Sequence, residues 1–355
     1  MSAHAVAVDA PDLDWDAALE AVEFGYERGW SDGLPLVPPT RPLVERFLAQ
    51  TARRPDEVLG RQEHLGRECT VLLAAVNAAM AGCRPEYFPV VLAAFDALMR
   101  HPIAQAGGWQ STSGPGAMIV VNGPVRSRIG LNSAGGVFGP GFRANATIPR
   151  AIGLMIRNAF GIEPHVLEQA CQGLPGRWSV CLGENEEDSP WEPLSVDGGV
   201  PRGADAVSAA MVRTCEFVHN RETQVAEELL ADLADTISRP GAHIFRAGGV
   251  AVALSPLHAR MLAQAGFGKA DVRAWLHERC GRTGRELARV GKDGLSERGV
   301  RHSTGTGGDD AFQPLLRSAE PGDVMIAVTG APNSGISMVV RLFSRWSETS
   351  EPLLT

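Results

Sequence analysis

The richest run of proton-transferring side chains in this sequence is Gly183-Glu-Asn-Glu-Glu-Asp-Ser-Pro-Trp-Glu-Pro-Leu194, with five carboxylates in nine residues. Its prolines and crowded like charges make a poor helix. A carboxyl group lifted in pKa by burial beside Trp191 would serve there as general acid or base, and Glu184 and Glu187 are the candidates. Several carboxylates together would suit a divalent cation, yet the spacing matches neither an EF-hand nor HExxH. A solvated acidic loop is the competing reading. His258 is a third acid–base candidate, on the first turn of a helix that follows a buried strand, where a histidine more often has a structural role.

The leading ligand-holding segment is Gly130-Leu-Asn-Ser-Ala-Gly-Gly-Val-Phe-Gly-Pro-Gly-Phe-Arg-Ala-Asn-Ala-Thr147. Its glycines let backbone come close to a ligand. A helix starting at Asn145 or Thr147 would offer free N–H groups to an anion. Asn132, Ser133, Arg143 and Asn145 would add side-chain hydrogen bonds to a carboxylate or phosphate. A structural Ω-loop with Asn145 as helix cap is the alternative. The pattern is neither a Walker A loop nor GxGxxG after a strand, so no nucleotide cofactor is indicated. Gln110, in the polar stretch Gly107–Pro115, and Trp191 complete the candidate substrate contacts. Cys215 and His219, four apart, would share one face of a helix, but one pair is too little for a metal site. Whether a metal binds is left open.

These side chains need a scaffold. The runs Ala117–Asn122, Gly249–Ser255 and Val324–Thr329 read as strands of a covered sheet. Each ends in a small polar turn, and the second and third lead into helices at Leu257–Ala265 and Ile336–Phe343. Further helices are expected at Trp15–Arg28, after Thr40, and at Glu68–Ala81, Glu86–Arg100, Ile148–Phe160 and Ala270–Cys280, the last with Lys269 and Asp271 as cap and first turn. The pattern predicts an α/β fold: a buried, mostly parallel sheet flanked by helices, with long ordered Gly/Pro-rich loops over the strand ends, where ligands collect. Residues 1–28 are expected as a leader and helix, 29–345 as a single α/β domain or two intimate halves (about 29–205 and 206–345), and 346–355 as a tail. The likeness of residues 117–124 to 324–332 raises an internal repeat, which two buried strands with glycine turns would also produce by chance. Gly29–Thr40, with three prolines and two glycines, is not helical, and its Trp30, Leu34, Leu36 and Val37 call for burial. Gly281–Asp310 reads as a mobile flap or excursion, with an ordinary solvated face as the alternative for its helical part.

Composition narrows the class. Glycine (40) and proline (24) make up about 18% of the 355 residues, against roughly 12% in ordinary usage. With 44% hydrophobic residues this marks ordered loop rather than disorder. A net charge of -8 argues against nucleic acid or an anionic membrane as partner. Lys269 and Lys292 are the lysines, so a Schiff base has two candidates. The six cysteines form no CxxC pair. The first fifteen residues carry Asp9, Asp12 and Asp14 without the apolar stretch of a secretory leader. The expectation is a soluble, cytoplasmic protein whose cysteines are mostly buried small hydrophobes.

Five segments together resemble a bacterial family, the group associated with the UGSC (seleno)proteins. They are Gly29-Trp-Ser-Asp-Gly-Leu-Pro35 with Pro38-Pro-Thr40, Asn77-Ala-Ala-Met-Ala-Gly-Cys-Arg-Pro-Glu-Tyr87, Val121-Asn-Gly-Pro124, Gly139-Pro-Gly-Phe-Arg-Ala-Asn-Ala-Thr147, and Glu184-Asn-Glu-Glu187 with Ser189-Pro-Trp-Glu-Pro193. The resemblance spans roughly residues 25 to 345. That group takes its name from a selenocysteine- or cysteine-Gly-Ser-Cys motif, which this chain does not contain. The resemblance therefore implies a shared polar pocket, with any redox role belonging to a partner subunit.

The functional expectation is a small-molecule enzyme of lyase or hydrolase type. It would act on a polar, anionic substrate by acid–base chemistry at a carbon–heteroatom bond. Arg143, Asn132 and Asn145 would hold the anion, Glu184 or Glu187 would move the proton, and His258 is the second acid–base group. The alternatives are a non-catalytic or half-site subunit of a thiol/selenol redox complex with a Cys- or Sec-containing partner, and a metabolite-binding protein. A homo-oligomer is the other expected assembly. The pocket requires Gln110, Asn132, Asn145 and Glu184 to converge.

Overall fold

A computed structural model describes residues 14–139, 141–239, 248–293, 295–296, 299–300 and 308–353. Pro140 of the glycine-rich segment and much of the expected flap between 294 and 307 lie outside the described residues. The chain begins with α1 (Trp15–Glu27) and α2 (Arg41–Leu48), a hairpin of β1 (Val58–Gln62) and β2 (Arg67–Thr70), and the apolar helices α3 (Val71–Met80) and α4 (Phe88–Met99). The single turn α5 (Pro102–Gln105) precedes β3 (Gly116–Asn122), and α6 (Val125–Arg128) leads into the glycine-rich loop. Then come α7 (Arg143–Asn158), β4 (Val180–Gly183), the short α8 (Leu194–Asp197) and the long β5 (Ala206–His219). The second part runs α9 (Ala226–Ile237), β6 (Val250–Leu254), α10 (Pro256–Gln264) and α11 (Lys269–Arg279). An excursion holds β7 (Gly281–Thr283), α12 (Gly284–Ala288), β8 (Leu295–Ser296), β9 (Gly299–Val300) and β10 (Phe312–Pro314). The chain ends in β11 (Val324–Val328), β12 (Ile336–Leu342) and β13 (Glu351–Pro352).

The central sheet has the order β11-β6-β12-β5-β3-β4, with β13 pairing β5. It is mixed, not mostly parallel. β3 with β4 and β6 with β11 are parallel pairs, whereas β5 and β12 run antiparallel to every central-sheet strand they touch. Both antiparallel strands contradict helical expectations. Ile336–Leu342 is a strand rather than a helix because its β-branched Ile336, Val339 and Val340 suit a pleated, half-buried surface. Cys215 and His219 likewise sit on β5, not on a helix.

The order carries an approximate two-fold repeat. In the first set β4 lies outside β3, and β3 lies against β5; in the second β11 lies outside β6, and β6 lies against β12. The central pair β5–β12 joins the two sets. The look-alike stretches 117–124 and 324–332 therefore occupy non-equivalent places, β3 being an inner strand and β11 an edge strand.

Strand alternation explains how the curled sheet fills space. Met118, Val120, Leu182, Val212, Ala251, Met325, Ala327 and Val340 point inward and form one core with Trp346. The opposite face of the first set, including Ala117, Ile119 and Val121, packs on α3, α4 and α7. That of the second set, including Val252, Leu254 and Ile326, packs on α9, α10 and α11. Among the described residues no helix is long and apolar enough to cross a membrane.

Candidate functional site

The C-terminal ends of β3, β4 and β11 meet in one polar junction. Glu184 follows β4 directly and is 0% exposed. Its Oε2 accepts hydrogen bonds from Asn122 Nδ2 and the Leu194 N–H, both at 2.7 Å, and its Oε1 accepts one from the Val328 N–H at 3.3 Å. The Asn185 N–H donates to the Val328 carbonyl at 2.8 Å, and its Nδ2 to the Gly330 carbonyl at 3.0 Å. Buried Arg126 reaches the Glu187 carboxylate at 2.9 and 3.1 Å and the Gly123 carbonyl at 3.0 Å. Glu186 accepts from the Gly123 N–H at 2.8 Å. Farther along, Trp191 Nε1 donates to the Phe267 carbonyl at 3.1 Å, and Asp197 pairs with buried Lys269 at 3.2 Å and with buried Arg273. Residues 184–197 thus lace the first set of strands to the second.

The two carboxylates first considered for proton transfer have opposite environments. Burial pushes the Glu184 carboxyl above its usual range, against the pull of the Lys269 charge and the donors around it. Glu187 is largely exposed, and the Arg126 guanidinium bonded to it holds its carboxyl low. Glu184 is sealed, with both oxygens engaged, and acts as a fastener. Of its partners, Asn122 lies in the family-like segment Val121–Pro124, whereas for Arg126 and Val328 only the buried strand ends give a hint.

The glycine-rich segment folds against the same junction. Asn145, 2% exposed, donates from Nδ2 to the Asn132 and Cys181 carbonyls at 3.1 and 2.8 Å, and its Oδ1 accepts the Asn132 N–H at 2.8 Å. Asn132 turns its own side chain on its loop, donating to the Gly135 carbonyl at 3.0 Å and accepting from the Ala134 N–H at 2.9 Å. The Ser133 carbonyl accepts from the Gly330 N–H at 2.9 Å. Helix α7 starts at Arg143 rather than Ile148, so Asn145 lies in its first turn instead of capping it. Three backbone partners across the core draw the amide inward, and Phe142 holds the cap position. Arg143 is exposed and donates to the Gly82 carbonyl at 2.9 Å. Gln110 sits before β3, 2.6 Å from His64 Nε2, and the strand's length sets it roughly 20 Å from the junction. Asn132, Ser133, Asn145, Glu184 and Glu187 therefore come together, while Gln110, Arg143 and His258 lie elsewhere.

Two cavities flank the turn that joins β11 to β12. The first, about 410 Å³, lies beyond the C-terminal ends of β6 and β11, between Gly135–Gly139 and Thr329–Ser334. Ala253, Ile336, Met338, Val137, Phe138 and Phe217 give it apolar walls, and Ser255, Thr329, Asn333 and Ser334 supply polar groups. Among the described residues none with a charged side chain lines it. The second, about 400 Å³, is lined by Asn220, Arg221, Thr223, Gln224, His258, Arg260 and Gly335 among others. His258 is 3% exposed. Its Nε2 donates to the Asn220 carbonyl at 2.8 Å, which leaves Nδ1 to accept from the Ser337 hydroxyl at 2.7 Å. Burial lowers the His258 pKa, favouring the neutral ring. Small polar residues after a buried strand were the signal for this turn, Thr329-Gly-Ala-Pro-Asn-Ser-Gly335.

Gly335 lines the second cavity, and its neighbours Ser334 and Ile336 line the first. A Cβ there would lie 2.5 Å from the Asn220 carbonyl oxygen and 2.8 Å from His258 Nε2. Gly335→Ala is expected to cost about 1–3 kcal/mol, since backbone must move to admit the methyl; urea unfolding of the variant against wild type measures it.

Four cysteines are buried. Burial pushes the thiols of Cys69, Cys83 and Cys280 up to about 12 and that of Cys181 higher still, which makes them poor nucleophiles. Among the described residues no group of three His, Cys, Asp or Glu side chains is arranged to hold a metal ion. No protein-family model matches this chain, and no curated protein matches it either.

Proposed function

We propose that this protein binds a small organic molecule in the cleft of about 410 Å³ between the glycine-rich loop and the β11–β12 turn. The carrying observation is position. Ligand sites favour the carboxyl ends of parallel strands and the seams between structural halves, and this cleft has both, with one wall from each half. Its lining suits a ligand with an apolar body against Val137, Phe138 and Met338. A neutral polar end, such as an amide, hydroxyl or keto group, would meet Ser255, Asn333 and Ser334. Thermal-shift screening against small amides, hydroxy compounds and ketones, followed by calorimetry, tests the reading. Ala253→Phe fills the floor and is expected to weaken a hit by roughly tenfold or more, while Arg143→Ala binds as wild type. Unchanged affinity in Ala253→Phe overturns it.

An acid–base enzyme acting on a polar anion is the second reading, favoured by the second cavity. There Arg221 and Arg260 would meet the anion, and His258 would move a proton only by giving up its Nε2 bond to the Asn220 carbonyl. Hydrogen-exchange protection on ligand binding separates the readings: at Gly135–Gly139 for the first, at Asn220–Gln224 for the second. A thiol or selenol step in the manner of the UGSC-associated group would take its reactive sulfur or selenium from a partner or from exposed Cys171 or Cys215, because burial holds the other four thiols high.

A further inference from the structure

The segment Gly29–Thr40 is held rigidly, yet most of its large side chains remain in water. Helix α7 pins its backbone. Arg150 pairs with Asp32 through two hydrogen bonds of 2.9 and 2.8 Å and donates to the Leu34 and Pro35 carbonyls at 3.1 and 3.0 Å. Arg157 donates to the Gly29 carbonyl at 3.0 Å and Asn158 to that of Trp30 at 3.1 Å. Leu36 is buried, but Trp30 and Val37 are exposed and Leu34 is 57% exposed. Of the residues that called for burial, one finds it within the chain.

Helix α1 continues the same surface. Trp15, Leu19, Val22 and Tyr26 recur at i, i+4, i+7 and i+11, one stripe of a helix. Gly25 is its only buried residue, and Trp15 and Leu19 are 53% and 61% exposed. Tyr26 donates to the Gly33 carbonyl at 3.5 Å, which sets the stripe beside Leu34. Trp15, Leu19, Tyr26, Trp30, Leu34 and Val37 expose roughly 600 Å², most of the ~800 Å² that each partner contributes to a standard interface. Such a patch stands at the upper end of the roughly 300–600 Å² that a monomer leaves in water, where patches are often functional.

We propose that α1 and the Gly29–Thr40 loop form a self-complementary interface between two copies of this chain. Charge supports a second copy as the occupant. The outer side of α1 carries exposed Asp16, Glu20, Glu23 and Glu27, while exposed Arg84 and Arg143 flank the other end of the patch. Arg143 bonds Gly82, where a Cβ would stand 3.7 Å from Val37. A two-fold operation brings each acidic helix to the partner's arginine end, as an isologous contact requires. Because the loop is already ordered, pairing loses little conformational freedom.

Sedimentation velocity of the full chain at micromolar concentration tests the proposal. Wild type is expected at about twice the 37.7 kDa chain mass, and Leu19→Glu/Leu34→Glu at half that, with an unchanged circular dichroism spectrum. Trp15→Glu alone, at another exposed position, should also shift the mass downward. Phe312→Glu, on an exposed residue outside the patch, should stay dimeric. A monomeric wild type, a double variant that remains dimeric, or a Phe312→Glu variant that falls apart equally overturns it. So does a monomer that floats with phosphatidylcholine vesicles, which would assign the patch to a lipid surface.

Discussion

Glu184→Ala is expected to lower stability by about 3–5 kcal/mol, among the largest single-residue effects in this fold. The substitution strands the Leu194 and Val328 N–H groups and leaves Asn122 Nδ2 with Glu186 alone, in a site that has no exposed surface. Each stranded buried donor costs about 1–3 kcal/mol. Against a total of roughly 5–15 kcal/mol, the loss should be plain as a melting-temperature drop on the order of 10 °C. Glu184→Gln keeps the volume and one carbonyl oxygen and should cost less. A variant Glu184→Ala that melts with wild type would show that the carboxylate fastens nothing.

The same residue predicts a pH dependence. Its carboxyl is raised above its ordinary value of 4.5. Below that value both native and unfolded chains are protonated and the group's contribution to stability is fully present. As pH rises toward the raised native pKa, the unfolded chain loses its proton first, so the contribution declines and is gone above the native value. Urea midpoints of wild type should therefore fall relative to Glu184→Gln as pH rises from 4.5 toward neutrality. A difference that holds constant or grows would contradict the assignment.

The strands that were legible in sequence were those buried on both faces. Residues 117–122, 249–255 and 324–329 are short unbroken apolar runs, and hydrophobicity alone marks them. β5 and β12 carry Arg213, Glu216 and Arg341 among their apolar residues, which blurs any period. Because those two supply the antiparallel pairings of the central strands, their omission made the sheet read as parallel. The site shows a similar division. Composition flagged the acidic and glycine-rich segments, and both do lie at the seam. What it left open was the identity of their partners: Asn122 lies 62 residues before Glu184 and Val328 lies 144 after it. A carboxylate's role depends on whether it meets donors or solvent, and that follows from long-range topology. Only one wall of the cleft, the glycine-rich loop, is legible in the sequence, for a related reason. Its walls are glycines, uncharged apolar side chains and small hydroxyl or amide groups, which announce no chemistry.

Asn145 gives the second large effect and separates a ligand contact from a positioning residue. Its Nδ2 faces two carbonyls and its Oδ1 faces one N–H. Asn145→Ala abandons all three partners in a buried site and should cost about 2–4 kcal/mol. Asn145→Asp is nearly isosteric, yet it turns a carboxylate oxygen toward the Asn132 and Cys181 carbonyls where a double donor stood. It should therefore be the worse of the two, losing about 4 kcal/mol or more. Were Asn145 a ligand contact, both variants would keep wild-type stability and lose affinity alone. The geometry predicts losses in stability and in binding together. Asn132 hangs from Asn145, Gly135 hangs from Asn132, and the adjacent Ser133 carbonyl holds Gly330 on the opposite wall. Cutting the first link loosens both walls of the cleft. Calorimetry well below the variant's melting temperature should then show a cleft ligand weakened by roughly tenfold or more. Full affinity in a destabilised Asn145→Ala would mean that the cleft keeps its shape without this amide.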